Sequence, residues 1–186
     1  VNEGIRHQAM PEELQNEPDQ HLSRPVEAWR TASGFHLTVS DYIIEFLEGK
    51  GIEHVFTVSG GGSIFLNDAV QRAKRMKYVA CHHEQAAGYA AEGYARARGR
   101  EGYCMVTSGP GGTNAVSACA STFLDGIPVI FISGQAFLRH TIVGHPGLRQ
   151  LGVQEINIVD IVKPITKYAI MLTHSGQDYV QYHLDM

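Results

Sequence analysis

The stretch KYVACHHEQAAGYAAEGYARA, residues 77–97, decides the fold. It opens on a short apolar strand, Lys77 to Ala80, and passes through three residues into a helix of small side chains that begins at Glu84. A strand running straight into a helix is the unit from which parallel α/β sheets are built, and the junction is where such proteins place their sites. Glu84 therefore has two readings. An acidic residue in the first helical turn is favoured by free N–H groups and the helix dipole, by roughly 0.3–1 kcal/mol. The same carboxylate also stands where a catalytic group would stand.

Working outward, the pattern repeats. Strands are expected at His54 to Val58, Tyr103 to Thr107 and Val129 to Ser133, with helices at Ser63 to Arg75 and Thr113 to Leu124. Thr38 or Ser40 can cap an earlier helix carrying Tyr42, Ile43, Phe46 and Leu47, which Gly51 ends. The strands are continuous apolar runs, as expected when helices cover both faces of a sheet. The fold class is α/β: a three-layer, doubly wound domain with a mostly parallel central sheet flanked by helices. Beyond it lie a looser stretch from Phe137 to Leu151, a short helix from Glu155 to Val162, and an apolar run from Tyr168 to Leu172.

Residues 1–36, rich in Glu, Gln, Asn and Pro, are expected to be a flexible extension. Residues 37–175 form the compact domain, and residues 176–186 the start of a linker or a truncated helix. The first residue is Val, and the chain stops within an amphipathic segment, so it is read as processed or partial.

The chain has 186 residues, 44% hydrophobic and 18% charged, with a net charge of -4. That balance offers no electrostatic reason to expect nucleic acid or an anionic membrane. No apolar run approaches the length of a membrane span, and a cytoplasmic protein is expected. Cys81, Cys104 and Cys119 include no CxxC pair and read as buried thiols. His82-His83-Glu84 resembles a ligand cluster, but adjacent helical side chains diverge by about 100°, so no metal site is assigned there.

In a parallel sheet the segments after successive strands meet on one edge. Here they are Ser59-Gly60-Gly61-Gly62-Ser63, His82-His83-Glu84-Gln85, Ser108-Gly109-Pro110-Gly111-Gly112-Thr113-Asn114 and Gly134-Gln135. Glycine permits close approach of backbone to a ligand. Neither GxxxxGK[ST] nor GxGxxG occurs, and the two glycine loops hold no Lys or Arg, which argues against a nucleoside triphosphate cradle. The loops can equally serve tight turns and close helix packing.

Taken in order, these segments resemble the pyrimidine-binding domain of thiamine-diphosphate-dependent enzymes, most closely acetolactate synthase large subunits. The residues that carry the resemblance are Val55-Phe-Thr-Val-Ser-Gly-Gly, His83-Glu84-Gln-Ala-Ala, Gly93-Tyr-Ala-Arg-Ala, Thr107-Ser-Gly-Pro-Gly-Gly-Thr-Asn, Asp125-Gly-Ile-Pro, Ser133-Gly-Gln and Gln154-Glu155. The resemblance covers roughly residues 37–172. It implies that Glu84 meets N1′ of the cofactor's aminopyrimidine and shares a proton with it, so that the 4′ nitrogen can take the proton from thiazolium C2. It further implies that Ser59, Gly60 and Gly61 lie beside the pyrimidine, and that Ser108, Gly109, Pro110, Gly111 and Asn114 also bind cofactor. Gln135 and Gln154 match polar residues near the reacting centre; loop or cap hydrogen bonds are the alternative reading of both.

Two departures stand out. Val58-Ser59 replaces a common Tyr-Pro, and Val153 stands where a synthase usually has a substrate-facing Phe, which leaves the acceptor 2-keto acid open. In the family, diphosphate and Mg²⁺ are held by a separate domain with a Gly-Asp-Gly motif, absent from residues 1–186. The resemblance therefore implies a partner, the diphosphate-binding domain of the same or another polypeptide, in a homodimer or tetramer. FAD, which some synthases bind mainly through a middle domain, has no support in these residues. The other reading is a stand-alone pyrimidine-domain protein that acts as a structural or regulatory module, packing through its Ala/Gly-rich helix.

Overall fold

A computed structural model describes residues 29–30 and 36–186, so the extension expected over residues 1–36 lies almost wholly outside the described residues. A two-residue antiparallel pairing joins β1 (Trp29–Arg30) to β2 (His36–Leu37). Helix α1, Val39–Gly49, follows. Its N-cap is Thr38, whose hydroxyl accepts from the Asp41 N–H while the Asp41 carboxylate accepts from the Thr38 N–H, a reciprocal capping box.

Strands and helices then alternate: β3 (His54–Thr57), α2 (Ile64–Arg72), β4 (Lys77–Ala80), α3 (Glu84–Arg98) and β5 (Gly102–Val106). They continue as α4 (Pro110–Asn114), α5 (Val116–Asp125), β6 (Val129–Ser133), α6 (Ile158–Val162) and α7 (Gln177–Asp185). The four strands β3 to β6 lie in the order β4-β3-β5-β6 and every pairing is parallel. The chain steps outward from β3 to β4, then crosses back over β3 to β5. That reversal puts α2 on one face of the sheet and α3 and α5 on the other, because each crossover keeps the right-handed sense.

Two cores follow from the alternation of side chains along the strands. Val55, Tyr103 and Met105 face α1, α2 and α7, packing against Ile44, Leu47, Val70, Tyr179 and Val180. Cys104 and Val106 face the other way, against Ala87, Ala91 and Ala115. Burial pushes the Cys104 thiol up to about 12 and the Cys119 thiol up to about 11, so both are inert packing residues at neutral pH. Cys81, expected to be buried, is only half-buried.

Helix α3 lies unusually close to its neighbours. Its inward positions are Ala87, Gly88, Ala91 and Ala95, all buried. A methyl on Gly88 would stand 2.5 Å from Cβ of Ala118 on α5, and one on Gly102 would stand 2.2 Å from the Ala91 carbonyl oxygen. At its far end α3 is tied to β3 through Tyr94, whose hydroxyl accepts from Arg98 at 2.7 Å and meets His54 Nδ1 at 2.8 Å.

Several element boundaries differ from the sequence reading, each for a local reason. Helix α2 stops at Arg72, three residues early, because the Glu48 carboxylate accepts from the N–H groups of Arg75 and Met76 and turns the chain into β4. The expected helix Thr113 to Leu124 is two helices with a break at Ala115; Pro110, with its preset φ, starts the first of them. The helix expected from Glu155 begins only at Ile158, after Asn157, whose side chain accepts from the Asp160 N–H. Tyr168 to Leu172 forms no regular element. Strand β5 ends at Val106, one residue early, which releases Thr107 into the loops.

The close contact of α3 makes a prediction of sign. Gly88→Ala should destabilise the chain by about 1–3 kcal/mol through overpacking, more than the roughly 1 kcal/mol gained in helix propensity. Gly93→Ala, on the same helix with nothing within 4 Å of the new methyl, should stabilise by about 0.5–1 kcal/mol. Urea midpoints of the two variants should therefore move in opposite directions.

Candidate functional site

The reversal of strand order falls between β3 and β5, whose connections run to opposite faces of the sheet from its carboxyl edge, the place where open α/β sheets build their sites. Helix α3 crosses over both strands and brings its first residue, Glu84, to the same edge. The N-cap of α3 is His83, whose Nδ1 accepts from the Gln85 N–H at 3.1 Å. Glu84 is left to other work. Its side chain is nearly buried, at 9% exposure, and Oε2 accepts from Nδ2 of Asn114 at 3.0 Å.

The glycine loops are held against one another more tightly than any side chain would allow. The Gly62 N–H donates to Oγ1 of Thr107 at 3.0 Å. A methyl on Gly60 would lie 2.5 Å from Cβ of Thr107, and one on Gly134 would lie 2.2 Å from the Gly62 carbonyl oxygen. Thr107 thus joins the loops after β3, β5 and β6, a role the sequence reading missed when it placed this residue inside the strand. A polar residue closing an apolar run was the available signal. Ser59 and Gly61 are exposed at the open side of this interlock, and Ser108 is buried within it.

Gly109 takes a positive φ of 59°, and the Gln154 carbonyl oxygen lies where its Cβ would point, at 2.4 Å. Pro110 then begins α4. A methyl on Gly111 would come within 3.4 Å of Oε1 of Glu84 and 2.6 Å of the Thr107 methyl. Among the expected site residues, the structure therefore brings Glu84, Gly109, Gly111 and Asn114 into one contiguous wall, with Gly60 behind Thr107.

The two glutamines enter differently. Gln135 donates from Nε2 to the Ile156 carbonyl at 2.9 Å and accepts at Oε1 from the Ala136 N–H at 2.9 Å, so its amide joins two loop segments. Gln154 is exposed and takes a φ of 54°, the sole positive φ outside glycine among the described residues, a conformation that costs about 1–2 kcal/mol. What holds it is the next residue. The Glu155 carboxylate accepts from the N–H groups of Ile142, Leu151 and Gly152 and closes the loop around Gln154. Neighbouring Val153 is 85% exposed at the tip.

A cavity of about 1160 Å³ runs along β6, lined by Ile130, Ile132, Ile158, Tyr168 and Leu172, and reaches the site loops at Gly62, Gly134 and Gln135. Glu84 and Asn114 do not line it. The site edge is an open wall, with Ile64 and Phe65 exposed at the start of α2 beside the first glycine loop. Among the described residues no group of three or more His, Cys, Asp or Glu is placed to hold a metal ion, and no helix is long and apolar enough to cross a membrane.

A buried carboxylate at a helix start, facing glycine loops at a strand-order reversal, corresponds to a known family. Residues 37–161 match the thiamine pyrophosphate enzyme N-terminal TPP binding domain. The chain belongs to this family. The acetolactate synthase of Mycobacterium avium is 39% identical over 136 residues, covering 73% of this chain and 21% of the relative. That of Mycobacterium bovis is 40% identical over 142 residues, 76% of this chain and 22% of the relative. The chloroplastic acetolactate synthase of Arabidopsis thaliana is 40% identical over 129 residues, 69% and 18% respectively. The chain spans about a fifth of the length of these relatives.

As a thiamine pyrophosphate family domain it presents a donor set suited to a flat, polar heterocycle. Glu84 offers a shielded carboxyl, and the missing Cβ atoms of Gly109 and Gly111 let the Gln154 backbone and the Thr107 side chain close in around it. The Glu155 clamp keeps the third segment of the wall in place. Desolvation, the largest single influence, pushes the Glu155 carboxyl up, but three N–H donors together outweigh it and hold the group below the ordinary carboxylate value. The folded form thus binds the proton more weakly than the unfolded chain, so the clamp contributes at neutral pH and is lost as pH falls through the lowered value. Hydrogen-exchange protection of the Ile142, Leu151 and Gly152 amides should drop in Glu155→Gln at neutral pH, and acidification of the unaltered chain should reproduce that loss at the same three amides.

Proposed function

We propose that this domain is the pyrimidine-binding half of a thiamine-diphosphate-dependent, acetolactate synthase-like enzyme that decarboxylates or carboligates 2-keto acids. The observation that carries the reading is Glu84: a nearly buried carboxyl, held by Asn114, at the strand-order reversal of a thiamine pyrophosphate family domain. When bound, thiamine diphosphate supplies a thiazolium carbon that becomes nucleophilic on losing its proton. The chain's own contribution is to hold and exchange a proton at the Glu84 carboxyl, opposite N1′ of the aminopyrimidine. Burial keeps water from competing for that proton, and the interlocked glycine loops fix the carboxyl and let a ring approach the backbone.

Ser59, Gly60 and Gly61 would line the pyrimidine from one side, and Ser108, Gly109, Pro110 and Gly111 from the other. Gln154, exposed at the wall, is the residue we place toward the reacting centre; Gln135 supports it from behind through the Ile156 loop. Pyruvate is the donor by analogy with the synthases, and Val153 in place of a large aromatic side chain leaves more room for the acceptor. Diphosphate and Mg²⁺ would be held by a second domain, on the same or another polypeptide, completing the site in a homodimer or tetramer. We place the assembled protein in the cytoplasm, although plant relatives carry "chloroplastic" in their names.

Glu84→Gln in the assembled enzyme should lower turnover of 2-keto acid by about 10²- to 10⁴-fold, the usual range for loss of a positioned acid–base group. Thermal unfolding should stay near that of the unaltered protein, since the amide is isosteric and can still meet Asn114. Full turnover in that variant would overturn the assignment and favour the stand-alone structural or regulatory module.

A further inference from the structure

The two oxygens of the Glu84 carboxyl are not equivalent. Oε2 receives the Asn114 Nδ2–H at 3.0 Å, whereas Oε1 lies beside the bare α-carbon of Gly111. An amide nitrogen is a donor only, so the oxygen it meets must be an acceptor in either protonation state of the acid. When the carboxyl carries a proton, its carbonyl oxygen is the better acceptor, so the Asn114 N–H favours the proton on Oε1 over Oε2. While the carboxyl is ionised, the opposite amide orientation would set two acceptors against each other, so the donor orientation is the one the resting site holds.

Asn114 can do this because of how α4 is built. Pro110 starts the helix, and five residues later the break at Ala115 ends it, leaving Asn114 at its last position with its side chain reaching Glu84 across the crevice. Asn114 itself is exposed while Glu84 is nearly buried. The hydrogen bond therefore adds little to the folding core and much to the placement of the carboxyl.

We propose that Asn114 is a positioning residue that selects which oxygen of Glu84 carries the transferable proton, rather than a direct cofactor ligand. The proposal rests on the thiamine reading above. The step it governs is a proton transfer alone: the O–H bond at Oε1 of Glu84 breaks as an N–H bond forms at the ring nitrogen opposite, and the reverse returns the proton. Electrons stay with their atoms and no co-reactant is needed. With Asn114 absent, the proton divides between the two oxygens and the carboxyl can rotate, so only part of the population presents Oε1–H to the ring.

The test uses Asn114→Asp, Asn114→Ala, Glu84→Gln and Glu84→Ala. In the full chain without cofactor, the Asn114 side-chain amide protons should exchange with solvent more slowly than those of other exposed asparagines, and Glu84→Ala should remove the difference. In the assembled holoenzyme, deuterium exchange at the thiazolium C2 proton should slow by about 10-fold in Asn114→Ala and up to about 100-fold in Asn114→Asp, the range for a lost hydrogen bond to a charged group. Affinity for thiamine diphosphate should stay unchanged in both. The Asn114→Asp rate should recover as pH falls, because a protonated carboxyl at that position can again donate to Oε2. Exchange at the unaltered rate in both variants would overturn the proposal, as would a loss that tracks cofactor affinity and shows no recovery at low pH. Glu84→Gln separates the two claims: if it exchanges at the full rate the thiamine reading fails, and if it is inactive while both Asn114 variants are unimpaired, only the role of Asn114 fails.

Discussion

Helix α3 comes down onto β3 and β5 through Ala87, Gly88, Ala91 and Ala95, none of which carries more than a methyl group. Gly88 meets Ala118 on α5, and Ala91 meets the bare backbone of Gly102 on β5, at separations that would not admit one more carbon. Helices packed through larger side chains stand off by 8–10 Å between axes, with the distance set by the residues at the contact. Here the contact residues are glycine and alanine, and an added methyl on Gly88 would stand 2.5 Å from Cβ of Ala118. Glu84 is buried for this reason: its burial follows from the helix's approach, and the adjacent His83 serves as the cap.

The same economy of side chains governs the loops. Gly60 packs on the Thr107 side chain, Gly62 on Ser108 and Gly134 on the Gly62 backbone, so the loops form one interlocked wall. A wall of this kind loses little conformational freedom when a ring is laid against it, which is how preorganisation contributes to binding and to orientation. It is also open, with Ile64, Phe65 and Val153 exposed around it. An apolar margin thus lies beside a nearly buried carboxyl.

Much of this was legible in the residues. The continuous apolar runs of β3, β5 and β6 pointed to a sheet covered on both faces, and the order of glycine loops located the crevice edge. The boundaries were less legible, because they are set by contacts distant in sequence. Glu48 ends α2 from 27 residues away through the Arg75 N–H, and Glu155 leaves its expected helix to accept N–H groups from as far back as Ile142, 13 residues earlier. Thr107 looked like the end of a strand, and its function as the post joining three loops exists only once those loops are side by side.

Residue types and their order alone determined the fold class, the family and the identity of Glu84 as the carboxylate of interest, since period, glycine placement and motif order are local properties of the chain. Tertiary structure decided the rest: which oxygen of Glu84 is engaged, that Asn114 engages it from 30 residues away, that Gln135 spends its amide on the loops, and that Gln154 is held in a strained turn by its neighbour. Each of these depends on the direction in which a donor points across a gap between elements. Direction across such a gap is fixed by packing and does not exist in the linear chain.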